Sequence, residues 1–112
     1  SVNWSTWEKV IARAYQTYKA STAKDVEHRV GFANERFEIT FGSNKLMSQI
    51  SLLELKEFFD EILVLKYDSK NEISKYRMLI KMLIEVLNED LLHGQLDNLY
   101  SEVPTYSKIQ RV

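Results

Sequence analysis

FEITFGSNKLMSQISLLELKEFF, Phe37 to Phe59, is the stretch on which the fold turns. Phe37, Ile39 and Phe41 alternate with Arg36, Glu38 and Thr40. A period of two is the mark of a half-buried strand. Gly42, Ser43 and Asn44 follow, and Gly and Asn accept positive φ at little cost. Leu46, Ser48 and Ile50, with Met47 and Gln49 on the opposite face, then read as a return strand. The loop is short enough for a β-hairpin. The period changes at Ser51-Leu52-Leu53-Glu54, which has the form of a capping box. Leu52, Leu55, Phe58, Phe59, Ile62 and Leu63 continue it as one helical face to about Leu65.

A lone hairpin is marginal in water. This one needs cover from a helix, or from a third strand near Val30–Phe32. Upstream, Ser5-Thr6-Trp7-Glu8 is another capping box, and Trp7, Val10, Ile11, Ala14, Tyr15 and Tyr18 make one apolar stripe. Between that helix and the hairpin, Ala23–Arg29 reads either as a short helix stopped by Gly31 or as a loop into a strand. Downstream, Asn71 is placed to cap a fourth helix. Tyr76, Leu79, Ile80, Leu83 and Leu87 form its stripe, and Met78, Met82 and Val86 widen the apolar arc. That helix reads on to about His93, with Gly94 as its stop. Pro104 leaves residues 104–112 as a tail. The expected architecture is a single α+β domain over residues 1–103. Its order is α-(α)-β-β-α-α, with the hairpin packed on three to five helices.

Composition limits the function. The chain has 112 residues, the size of one domain, with no cysteine and two histidines. Disulfide frameworks, thiol nucleophiles and Cys-based zinc sites are excluded, and no cofactor is indicated. No apolar run is long enough for a membrane span and no signal peptide is visible. With the missing cysteines this points to an intracellular, cytoplasmic protein without a membrane partner. The chain begins at Ser1, which reads as a tag remnant or as a domain excised from a larger protein. Net charge is −1, and residues 1–50 carry seven basic and five acidic side chains against eight and eleven in residues 51–112. That is too even for a dedicated nucleic-acid binder.

Three chemistries can be weighed against an ordinary surface. Glu54-Leu55-Lys56 matches half of a metal-dependent nuclease motif, but its two charges diverge by about 200° on a helix. Asp25 and His28, with Glu38 nearby, would be an acid–base cluster if the fold joined them, which is the enzyme reading. Lys9, Arg13, Lys24, Arg29, Arg36 and Lys45 would form a basic face for nucleic acid on the first helices and the hairpin. The wide arcs of the last two helices favour a fourth reading. Most of that surface is core, and the surplus serves a protein partner or a second copy. The sequence therefore points to a non-catalytic protein-interaction module or a small regulator of the inhibitor or immunity type. Its contact residues would be Ser43, Asn44 and Lys45 at the hairpin tip and Met78 and Met82 on the fourth helix. A nucleic-acid-binding domain is the alternative.

Overall fold

The computed structural model describes residues 6–17 and 23–88. Within them the chain forms α1 (Trp7–Thr17), α2 (Ala23–Phe41), a short 3-10 turn (Met47–Gln49), α3 (Leu52–Leu65) and α4 (Lys70–Leu87). The described residues contain no strand. Their one β-type pairing is an isolated antiparallel bridge between Thr6 and Leu46. The described residues are helical throughout apart from turns and linkers, and the α+β expectation, with its hairpin at 37–50, is overturned.

The hairpin fails because two periods are superposed in the same residues. Phe37, Ile39 and Phe41 alternate, but Val26, Val30, Ala33, Phe37 and Phe41 are spaced by four, three, four and four. That longer series is a helical stripe, and it runs through five positions where the alternation has three. Val30, Ala33 and Phe37 are buried and Phe41 is half-buried, whereas Ile39 is 62% exposed. Ile39, which the strand reading needed inside, is on the outer face of α2. Gly31 does not stop the helix. It lies exposed within α2, where it costs about 1 kcal/mol relative to alanine without breaking the backbone pattern. The true stop is Gly42. Its φ is 89°, and its N–H donates to the Glu38 carbonyl at 2.8 Å, the glycine termination that a left-handed residue provides. The expected return strand is instead the 3-10 turn, in which the N–H groups of Gln49 and Ile50 donate to the carbonyls of Leu46 and Met47.

The helix starts follow local chemistry. Thr6 heads α1, its hydroxyl accepting from Lys9 N–H and its carbonyl from Val10 N–H. Ser51 and Glu54 close a reciprocal capping box at α3. Ser69, not Asn71, caps α4, its Oγ accepting from Glu72 N–H at 3.3 Å. Ser69-Lys70-Asn71-Glu72 is itself a serine-x-x-glutamate signature two residues ahead of the expected cap. The expected extension to His93 and the tail at 104–112 lie outside the described residues.

Helix α4 is the hub, packing against α1, α2 and α3. Its buried face carries Ile73, Tyr76, Leu79, Ile80, Leu83, Ile84, Val86 and Leu87. Opposite it, α3 contributes Leu55, Phe58, Phe59, Ile62 and Leu63. A second focus is aromatic. Trp7 stacks on Phe37 with centroids 4.6 Å apart, and both meet the Phe58 ring edge-on at 5.7 and 5.6 Å. The Trp7 indole N–H donates to Asn34 Oδ1. At the other end of α3, Lys66 Nζ lies 4.0 Å from the Phe32 ring centroid, and Phe32 meets Tyr76 edge-on.

Two sets of substitutions test this fold. Phe37→Ala empties the aromatic junction and is expected to lower unfolding free energy by about 3–5 kcal/mol in chemical denaturation. The two glycines respond with opposite sign. A Cβ at Gly31 meets nothing within 4 Å, so Gly31→Ala is expected to stabilise by about 0.5–1 kcal/mol. Gly42→Ala forces a side chain into the left-handed region and is expected to destabilise by about 1–2 kcal/mol. A hairpin at 37–50 would predict no gain at Gly31.

Candidate functional site

The residues between α2 and α3 build a concavity with the adjoining helix ends. The linker leaves Gly42 in a tight turn through Ser43 and Asn44, bridges to Thr6 at Leu46, and enters α3 at the Ser51 cap. Between it and the helix ends lies an open cleft of about 300 Å³ lined by Thr40, Phe41, Lys45, Glu54, Glu57, Phe58 and Glu61. Phe58 is fully buried and Phe41 half-buried, with ring centroids 5.5 Å apart. The cleft thus has an aromatic base under a polar rim.

The three carboxylates come from spacing. Glu54, Glu57 and Glu61 stand at i, i+3 and i+7 on α3 and share a helix face. Their circumstances differ. Glu54 accepts from Ser51 N–H at 3.0 Å, and that bond, the Ser51 hydroxyl and the Lys45 charge hold its carboxyl below the ordinary range. Glu61 pairs with Arg36, whose guanidinium reaches it from α2. Glu57 is exposed and has no ion-pair or hydrogen-bond partner among the described residues. On the neighbouring flank Lys56 and Asp60 form their own pair at 2.7 Å.

The residues singled out in the sequence are distributed as follows. Ser43 and Asn44 are exposed in the turn and Lys45 lines the cleft, so this trio stays together although no hairpin carries it. Met78 and Met82 do not form a strip. Met82 packs half-buried on the core, Val86 is buried, and Met78 is 71% exposed with polar Ser74, Lys75, Lys81 and Glu85 around it on the helix surface. Of the basic set, Lys9 and Arg13 are exposed on α1, Arg29 is half-buried on α2, Arg36 is engaged by Glu61, and Lys45 faces Glu54. Lys24 and Asp25 sit in the first turn of α2, and their side chains lie outside the described residues. His28 and Glu38 are both exposed on α2, ten residues apart, which is about 15 Å along a helix axis. The fold does not join them. No group of three or more His, Asp or Glu side chains among the described residues could hold a metal ion.

Of the cleft residues, Thr40, Phe41, Glu57, Phe58 and Glu61 are not among the candidate site residues read from the sequence, and Glu54 is singled out there only as a cap and as half of a nuclease motif. The carboxylate spacing on α3 was available to find three of them. Thr40 and Phe41 required knowing that residues 37–41 are helical.

No family model matches this chain, and no curated protein or solved structure matches it either. No helix among the described residues is long and apolar enough to cross a membrane.

The Ser51–Glu54 box has two measurable consequences. Ser51→Ala is expected to cost about 1 kcal/mol of stability. Because the folded state depresses the Glu54 carboxyl, its contribution is present at neutral pH and lost as pH falls through that depressed value. Glu54→Gln should accordingly flatten the acid limb of a stability–pH curve.

Proposed function

We propose that this chain is a non-catalytic protein-interaction module whose docking surface is the α2–α3 end rather than α4. The observation that carries the reading is the concentration of features at that end. Among the described residues seven large hydrophobic side chains are exposed: Ile39, Leu46 and Leu53 in the last turn of α2, the linker and the first turn of α3, Val64, Leu65 and Tyr67 at the far end of α3 and just beyond it, and Met78 on α4; only the first three are chain neighbours of cleft-lining residues. The cleft, the exposed turn at Ser43 and Asn44, and the unpartnered Glu57 adjoin the same three segments. Exposed apolar side chains flanking a concavity with a few polar groups suit a protein-binding surface. Met78, by contrast, is a single exposed apolar residue of the kind any surface carries. A small regulator of the inhibitor type is one form such a module could take.

The experiment is cross-linking in lysate of the source cells, with a photoreactive residue at position 46 and another at position 78. A cross-linked species is expected from position 46 and not from 78. Ile39→Asp combined with Leu53→Asp should abolish it with unchanged circular dichroism, while Met78→Asp leaves it intact. Equal labelling from both positions, or survival in the Ile39/Leu53 variant, would overturn the reading. A species of twice the monomer mass would identify the partner as a second copy.

A further inference from the structure

We infer that the first half of α2, the C-cap of α3 and the first turns of α4 together hold a carboxylate-binding site built from Arg29, Lys66 and the Tyr76 hydroxyl. The site does not depend on the docking reading and shares no residue with the cleft. Tyr76 is fully buried, yet its hydroxyl has no hydrogen-bond partner among the described residues. A buried tyrosine ordinarily finds one, and leaving it unmade costs about 1–3 kcal/mol. Phenylalanine would fill the same space without that cost. Long side chains on a helix lean toward its N-terminus, which carries the Tyr76 hydroxyl toward the turn of Glu72. Burial and then the Glu72 charge raise the phenol above its ordinary range, and the Arg29 charge pulls it back, so both charges act on the hydroxyl.

Lys66 comes from the C-cap of α3. Its Nζ stands 4.0 Å from the Phe32 ring centroid and 5.4 Å from that of Tyr76, and the two rings meet edge-on at 5.7 Å. Arg29, Lys66 and Glu72 are each half-buried, and none has an ion-pair partner among the described residues. Two cations therefore face one carboxylate, and the surplus positive charge selects a monoanion. A carboxylate balances it, whereas a phosphate dianion would overshoot and meet Glu72. The two oxygens of a carboxylate can accept from the Tyr76 hydroxyl and from both cations at once. The flexible stem of Lys66 lets its ammonium turn from the rings to an arriving oxygen.

The test uses the whole chain, ¹⁵N-labelled, titrated with sodium acetate and in parallel with sodium phosphate and sodium chloride at matched ionic strength and neutral pH. Acetate is expected to give saturable shifts of the Arg29, Phe32, Lys66 and Tyr76 amides with a Kd of about 10 mM, the strength of one or two charge-assisted hydrogen bonds. Tyr76→Phe should weaken that response about tenfold and Lys66→Met severalfold, while Lys45→Met at the cleft leaves it unchanged. Thermal unfolding adds an independent readout. Without added carboxylate, Tyr76→Phe should be at least as stable as the parent chain, since it removes an unbonded hydroxyl. With about 100 mM acetate the parent chain should rise in Tm, and Tyr76→Phe much less. A loss of stability in Tyr76→Phe without acetate would show the hydroxyl already bonded by water, and the proposal would fall. Equal shifts with chloride, tighter binding of phosphate than of acetate, or an unaltered acetate response in Tyr76→Phe would sink it as well. N-acetyl-aspartate amide, run alongside, separates the sources: binding at least as tight as acetate assigns the carboxylate to a polypeptide side chain, and weaker binding assigns it to a free acid.

Discussion

The contact among Trp7, Phe37 and Phe58 is the constraint that places the other elements. Each ring comes from a different helix, and each pair is in a favourable stacked or edge-on arrangement. The indole also needs a polar partner, which Asn34 supplies one helical turn before Phe37. The relation of α1 to α2 is thus set by one stacked pair and one hydrogen bond. The same triangle fixes where α3 begins its inward face. Phe41, the next ring along α2, touches both Phe37 and Phe58 and ends the junction at the cleft. The base of the candidate site is therefore an outgrowth of the core, and its geometry is as rigid as the packing beneath it.

On this foundation α4 collects the remaining helices, and the charged surface follows. Arg36 lies on the flank of α2 that faces α3, so it meets Glu61 and relieves the repulsion that Glu57 and Glu61 would feel at i, i+4. Lys45 arrives through the linker and lines the cleft together with Glu54. The positions that the sequence offered as a basic face are thereby in part internal counterions. Arg36 balances Glu61 on α3, which leaves one fewer of the set to address phosphate.

Much of the helical framework was legible in the residues. The Trp7–Ala14 stripe, the Ser51–Glu54 box and the apolar faces of α3 and α4 each have one physical reading, and the structure follows it. The segment 23–41 had two. A glycine at position 31 and three alternating apolar residues suggested a break and a strand, while the stripe from Val26 to Phe41 specified a continuous helix. The longer pattern won because it buries Val30, Ala33 and Phe37 together against α3 and α4. The strand would have buried Ile39 in place of Ala33 and Val30. The cleft was hidden for the same reason, since it exists only where a helical α2 ends beside α3. Ser43 and Asn44 are exposed in a turn, but one between two helices, and Lys45 is half-buried in the cleft lining instead of at the tip of a hairpin.

The Thr6–Leu46 bridge joins the residue that opens α1 to the middle of the α2–α3 linker. Some forty positions of chain are closed into a loop by that one backbone pairing and the rings next to it. The linker is consequently not an independent flap. The rim of the cleft at residues 43–46 and the root of the first helix are therefore pinned to each other.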